Sequence, residues 1–243
     1  MLSTYNATVL HTGCTQYDIP VPKAVLAAEA LHAAAVVLLA GIRAEIAPDL
    51  ETITLKNMTE VHAQMVATTT RPARERAAVE IEGLLEHKRT HSWHIAAADL
   101  CEAFRVPFDT AAATFTTALA ALDGNTDAET AINAGLHEQH HALTTSAADL
   151  QVLTGVRDAL GTALPIDVGS SGGGMGLDRL GRICVLPDWD TIALKIPVRT
   201  GGLTPFTPAW FAALISIPGV SLKWRTPAEQ QTVAQLAAHH NAA

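Results

Sequence analysis

The chain has 243 residues and a formal net charge of −8, with 16 Lys and Arg against 24 Asp and Glu. A chain of this length can bury a core without covalent staples, and three widely spaced cysteines indicate neither a disulfide framework nor a thiolate zinc site. Because the basic residues form no stripe, nucleic acid is excluded as the expected partner.

The N-terminal residues 1–22 are irregular, with Gly13 and Pro20 among Thr, Tyr and Asn. They predict an extended arm, with one strand near Ala7–His11 as the alternative. Pro22 then precedes a run from Lys23 to Ala47 that is apolar on nearly every side, which predicts a helix buried in this core or against a neighbouring subunit.

The sequence predicts about six helices between residues 23 and 168, with short connections that are typical of a bundle. Breaks are expected at Arg71-Pro72, where a residue before proline avoids the helical region, and at Asp123-Gly124. Helix starts are expected at the capping box Thr126–Glu129 and again at Ser146–Asp149.

Residues 169–176, Gly-Ser-Ser-Gly-Gly-Gly-Met-Gly, favour a flexible linker. Beyond it, β-branched runs at 182–186 and 191–198 predict a hairpin, and 219–224 predicts a third strand. Thr207-Pro208 and the capping box Thr226–Glu229 each predict a helix start. The predicted fold is therefore mainly α, an N-terminal multi-helix bundle (23–168) followed after the linker by a small α+β module (177–243).

Three of the four tryptophans, Trp189, Trp210 and Trp224, fall in this C-terminal module. A small module needs its large side chains inside, so an aromatic core is the favoured interpretation. The alternative is that these side chains are exposed and bind a partner protein, because tryptophan is common at interface hot spots.

One segment combines residue types that carry out metal-dependent hydrolysis. His137 and His141 are one helical turn apart and could bind zinc, with Glu138 as general base on a zinc-bound water. The segment Leu136-His-Glu-Gln-His-His-Ala-Leu143 resembles the active-site helix of zincin metallopeptidases. That resemblance covers about eight residues and implies His137 and His141 as ligands and Glu138 as base.

Two other patterns involve histidine. The spacing Glu-x-x-His occurs at Glu29–His32 and at Glu138–His141, as in the di-iron sites of four-helix bundles. His87, His91 and His94 share one helical face and could bind a metal or respond to pH. No phosphate-binding loop, dinucleotide motif or nucleophile elbow occurs, so no nucleotide cofactor is expected.

Because no catalytic constellation is complete, the leading hypothesis is a non-enzymatic structural or assembly subunit. A bacteriophage virion component (capsid, connector or tail) from a GC-rich host is the concrete case. The partners would be copies of the chain or other proteins, with no cofactor. The alternatives are a zinc-dependent hydrolase and a helical adaptor. No secretory signal is visible and Glu29 and His32 interrupt the apolar run, so a cytoplasmic or virion location without a membrane span is expected.

Overall fold

The computed structural model describes residues 4–47, 56–163, 180–185, 200, 202–226 and 229. Most of these residues are helical, and the C-terminal region adds a small two-stranded sheet. The mainly α fold with a small C-terminal α+β module is therefore confirmed. The predicted linker 169–176 and the second predicted strand at 191–198 lie outside the described residues.

Seven helices and two strands are described along this part of the chain. The helices are α1 Thr4–Gln16, α2 Lys23–Ala44, α3 Met58–Ala103, α4 Arg105–Ala121, α5 Ala128–Asn133, α6 His137–Ala163 and α7 Pro208–Ile215. Strands β1 Cys184–Val185 and β2 Ser221–Leu222 pair antiparallel, with Cys184 opposite Leu222 and Val185 opposite Ser221. The strand predicted first in the module therefore pairs with the one predicted third.

The chain divides into two compact units, which are described separately. One unit combines the described parts of 1–20 and 97–243, and the other is the helical hairpin of residues 21–96. The predicted boundary at the glycine-rich segment lies outside the described residues and stays a prediction. The boundary between the two units falls within the predicted helical domain, and α3 contributes residues to both units.

The prediction of an extended N-terminal arm is wrong, because residues 4–16 form helix α1. Its apolar residues Ala7, Leu10 and Cys14 recur at helical spacing and are all buried. They face α6, against which α1 packs. Burial of this face stabilises a helix that the Thr-rich local sequence does not favour.

Two further helix boundaries were predicted wrongly. Helix α3 continues through Pro72, which is exposed and removes one helical hydrogen-bond donor. Helix α6 also continues through Ser146, whose hydroxyl donates to the carbonyl of Ala142 at 2.6 Å.

The helix break that precedes α6 occurs instead at Gly135, with φ of +73°. The Gly135 amide donates to the Ile132 carbonyl and the Leu136 amide to the Ala131 carbonyl, which is a Schellman ending for α5. Helix α5 is capped by Asp127, one residue later than predicted. As a result, α6 begins at His137 and places the Glu138 segment on its first turn.

The first unit has an aromatic core to which Phe104, helices α4 and α7 and the segment after β2 contribute. Its fully or almost fully buried rings are Phe104, Phe108, Phe115, Trp210, Phe211 and Trp224. The hairpin unit has a smaller core, in which Leu39 and Ile42 of α2 contact Ala78 of α3.

Candidate functional site

A cavity of 530 Å³ lies along one face of α6, in the unit that contains α1, α4 and α6. Side chains of α4 form its other wall, and Tyr17 lies at the end of α1. The lining residues are mostly small, apolar or hydroxyl-bearing: Tyr17, Val106, Pro107, Thr110, Ala111, Thr114, Glu138, His141, Ala142, Thr145, Ser146 and Asp149.

Two of the three residues of the zincin-like segment line this cavity. Glu138 and His141 are one turn apart on α6 and both contribute to its wall, whereas His137, the first residue of α6, is exposed and does not. Among the described residues, no group of three His, Cys, Asp or Glu side chains is placed to hold a metal ion. Glu138 and His141 therefore contribute a carboxylate and an imidazole to the cavity wall, and Asp149 contributes a second carboxylate that is not placed to complete a metal site among the described residues.

The other polar end of the cavity is a pair formed by Tyr17 and Asp149. The Tyr17 hydroxyl donates to Oδ1 of Asp149 at 3.1 Å, and Nε2 of Gln16 approaches the same oxygen at 3.5 Å. Burial, and then the charge of Asp149, raise the pKa of Tyr17 well above its ordinary value. Tyr17 is therefore a hydrogen-bond donor to Asp149 and not a base.

The tryptophans considered as interface residues do not form a surface. Trp210 is 2% exposed and Trp224 is 0% exposed, while Trp189 lies outside the described residues. Trp210 packs edge-on against Phe211, and Trp224 contacts Phe108 with ring centroids 5.5 Å apart. The aromatic-core interpretation is the one that fits Trp210 and Trp224.

In the hairpin unit, the Glu29–His32 pair belongs to a network between α2 and α3. Nε2 of His32 lies 3.1 Å from a carboxylate oxygen of Glu82 and 3.4 Å from one of Glu86. Both carboxylate oxygens of Glu86 accept from the buried Arg89. The Trp93 indole donates to Glu29 at 2.9 Å. Because these groups pair with one another, the network joins the two helices of the hairpin.

The hairpin leaves one side of α2 exposed, and we call it the outer face: Leu26, Ala27, Ala30, Leu31, Ala34, Val37, Leu38 and Gly41. The buried side of α2 consists of Val25, Ala28, Ala35, Leu39 and Ile42. The prediction allowed burial in this core or against a neighbouring subunit, and the described part of the chain buries one side of α2. The apolar run predicted this helix, but the sequence does not show which of its sides is buried and which is exposed.

Three polar side chains of α2 point away from the outer face, whereas the exposed Lys23 lies at its N-terminal end. Glu29 and His32 take part in the network with α3, and Arg43 donates to Glu75 at 2.7 Å. Helix α2 is also long and apolar enough to cross a membrane by length and composition, a weak criterion that core helices and signal sequences also meet. An apolar outer surface of this length is unusual for a monomer in water.

Comparisons with protein families, with curated proteins and with solved structures find no match for this chain.

Proposed function

We propose that this chain is a non-enzymatic structural subunit of a larger protein assembly, and that it contacts its neighbours through the outer face of α2. The observation that carries the proposal is the exposure of large apolar side chains along this helix, with Val37 at 72% and Leu38 at 52%. A helix on the surface of a soluble protein usually exposes its polar side chains to solvent. The exposed side of α2 is apolar instead.

The energetics favour a protein contact at this face. Completing the burial of each large, half-exposed aliphatic side chain gains roughly 1 kcal/mol. Four such side chains lie on the outer face, and together with the alanines between them they supply a gain comparable to that of a modest interface. They are Leu26, Leu31, Val37 and Leu38.

A virion subunit of a phage with a GC-rich host is the concrete case that we propose. The composition supports the GC-rich source, because alanine is abundant and arginine outnumbers lysine. The few aromatic side chains and the close-packed small residues suit a repetitive helical contact.

Sedimentation velocity of the full chain over a wide concentration range tests the assembly. We expect association that strengthens with concentration, and we expect Leu38→Asp to weaken it by at least about tenfold, since a carboxylate would be buried without a partner. Ile132→Asp is the matched control, because Ile132 is equally exposed at 52% but lies on α5. It should leave association unchanged.

Three results would contradict the proposal. The first is a wild-type chain that is monomeric at every concentration. The second is equal association of the Leu38→Asp and Ile132→Asp variants. The third is a monomer that floats with phospholipid vesicles, which would make the outer face a membrane contact.

The cavity beside Glu138 and His141 is the observation that supports a second function, a zinc-dependent hydrolase, in which His137 would have to be the second histidine ligand although it does not line the cavity. Its support is the concave space beside the carboxylate that would act as base. Native mass spectrometry discriminates between the two functions. One zinc per monomer, lost in the His141→Ala variant, would favour the hydrolase over the structural subunit. Of the three tryptophans on which the adaptor alternative is based, Trp210 and Trp224 are buried and Trp189 lies outside the described residues.

A further inference from the structure

The outer face of α2 has a groove of small residues between two rows of larger ones. With 3.6 residues per turn, Ala27, Ala30, Ala34 and Gly41 follow the middle of the face. Leu26 and Val37 border this groove on one side, and Leu31 and Leu38 border it on the other. A second helix can approach such a groove closely, since small residues bring two backbones together.

Gly41 is the residue of this groove whose identity as glycine has no reason within the described part of the chain. A Cβ atom placed on it would have no neighbouring atom within 4 Å, and Gly41 is not among the described glycines with positive φ. Glycine weakens a helix interior relative to alanine. Among the described residues, neither the backbone conformation nor the packing therefore requires glycine here, but the close approach of another helix would.

We propose that α2 pairs antiparallel with α2 of a second copy, about a two-fold axis close to Ala34. This inference rests on the proposed function and names its partner and contact. A two-fold contact uses the same patch on both copies, so residues pair reciprocally. With Ala34 opposite Ala34, the small residues Ala27 and Gly41 face each other.

The same register matches large side chains with suitable partners. Leu38 of one copy lies opposite Ala30 of the other, and Leu31 lies opposite Val37. At the ends, Lys23 comes close to Glu45, which already pairs with Arg74. Lys23 therefore approaches a carboxylate that Arg74 already pairs, whereas a parallel pair would place Lys23 beside Lys23. The antiparallel arrangement also aligns the helix dipoles favourably.

The contact is large enough for a specific dimer. The 22 residues of α2 span about 33 Å, and half the side surface of a helix about 10 Å wide is on the order of 500 Å². Two such faces together bury on the order of 1,000 Å², which is the lower limit for a stable interface. The small residues of the groove allow dense packing over this area.

Cysteine cross-linking of the full chain tests the pairing and its direction. The native cysteines Cys14, Cys101 and Cys184 are buried, so they do not compete. Under mild oxidation we expect Ala34→Cys to give a disulfide-linked dimer. We expect Ala27→Cys and Gly41→Cys to cross-link when mixed, but not separately, since close Cα atoms are needed for a disulfide.

A matched pair of glycine substitutions tests the groove. Gly41→Leu should weaken association by at least about tenfold without lowering the melting temperature, because leucine is the better helix former. Gly83→Leu on α3 also meets open space and should leave association unchanged.

The outcomes separate this inference from the proposed function. Cross-linking of the Ala27→Cys variant alone, without the mixed product, would overturn the antiparallel pairing. An associating chain that gives no cross-link with any of these variants, or that tolerates Gly41→Leu, would overturn the pairing of α2 with α2 and leave the proposed assembly function standing. A chain that is monomeric at all concentrations would overturn both.

Discussion

The indole Nε1 of Trp224 donates a 2.7 Å hydrogen bond to the carbonyl of Cys101. This bond joins the segment after β2 to the last turn of α3, across more than a hundred residues of sequence. The Trp224 ring is fully buried between Phe104 and Phe108, and the guanidinium of Arg157 lies 5.7 Å from its centroid. Arg157 also donates through Nε and Nη2 to the carbonyl of Arg225, so the same segment is held twice.

Two substitutions of Trp224 should separate the contribution of its hydrogen bond to stability from the contribution of its ring packing. Trp224→Phe keeps an aromatic ring but removes the donor to Cys101, and we expect a loss of about 1–2 kcal/mol in the free energy of unfolding. Trp224→Ala also leaves a cavity and should lose about 3–5 kcal/mol. Urea unfolding followed by circular dichroism measures both variants. Ile132→Ala, at an exposed position, is the control, and a neutral Trp224→Phe variant would contradict the role of the bond.

Two glycines in the contact between α1 and α6 should respond oppositely to alanine. At Gly13, a Cβ atom would lie 2.5 Å from Cγ2 of Val156 and 3.3 Å from the Phe104 ring, both in a packed core. At Gly155, the nearest atom is Cγ1 of Val9 at 4.0 Å. We expect Gly13→Ala to destabilise by about 1–3 kcal/mol through overpacking. Gly155→Ala should stabilise by about 1 kcal/mol through helix propensity.

Urea midpoints of the two glycine variants and the wild type provide the measurement. Because the substitution is the same and both sites are helical, the difference between them reports on space alone. Equal changes in stability at the two sites would contradict the prediction, since they would mean that a methyl group fits at Gly13 as well as at Gly155.

The three cysteines should be unreactive until the chain unfolds. Burial raises the pKa of the Cys14 thiol to about 11 and that of Cys184 to about 12, and burial also raises the pKa of Cys101. Since the thiolate is the reactive form, we expect almost no labelling of the native chain by an aromatic disulfide reagent at pH 8. All three thiols should react in denaturant. Fast labelling of one thiol in the native chain would place that cysteine at the surface.

The hairpin should lose stability in acid through Glu86. The hydrogen bonds from Arg89 lower the pKa of Glu86 below its ordinary value of 4.5. A carboxylate whose pKa is lower in the folded state stabilises the fold above its unfolded pKa. That contribution is lost as the pH falls below 4.5 and through the folded pKa.

Comparison of variants across pH tests this assignment. Glu86→Gln should be less stable than the wild type at pH 7 by about 1–3 kcal/mol, because Arg89 loses its charged partner. Its stability should also fall less steeply between pH 5 and pH 3. Glu80→Gln, at an exposed position on the same helix, is the control and should retain the acid slope. An unchanged slope in the Glu86→Gln variant would assign the acid effect to other carboxylates.

Features that depend on near neighbours in the sequence were predictable. The capping box at Thr226 and Glu229 is present, with the Thr226 amide donating to Glu229 at 2.9 Å. Thr207 caps α7, accepting from the Trp210 amide at 3.3 Å, and α2 begins directly after Pro22. These helix starts depend on hydrogen bonds and backbone preferences that act within four residues. A short sequence pattern is therefore enough to predict them. The same reasoning predicted that Glu138 and His141 share a helical turn, but not that a cavity would lie beside them.

The sequence by itself determined that the chain is mainly helical, where several helices start, and that α2 carries more apolar surface than a single contact can use. Tertiary structure alone decided that residues 4–16 form a helix, since Leu10 and Cys14 gain their burial from a helix far away in the sequence. It also decided which side of α2 packs on α3 and which side stays open. The physical reason is that burial depends on neighbours brought together by the whole fold, whereas capping and helical period act within a few residues.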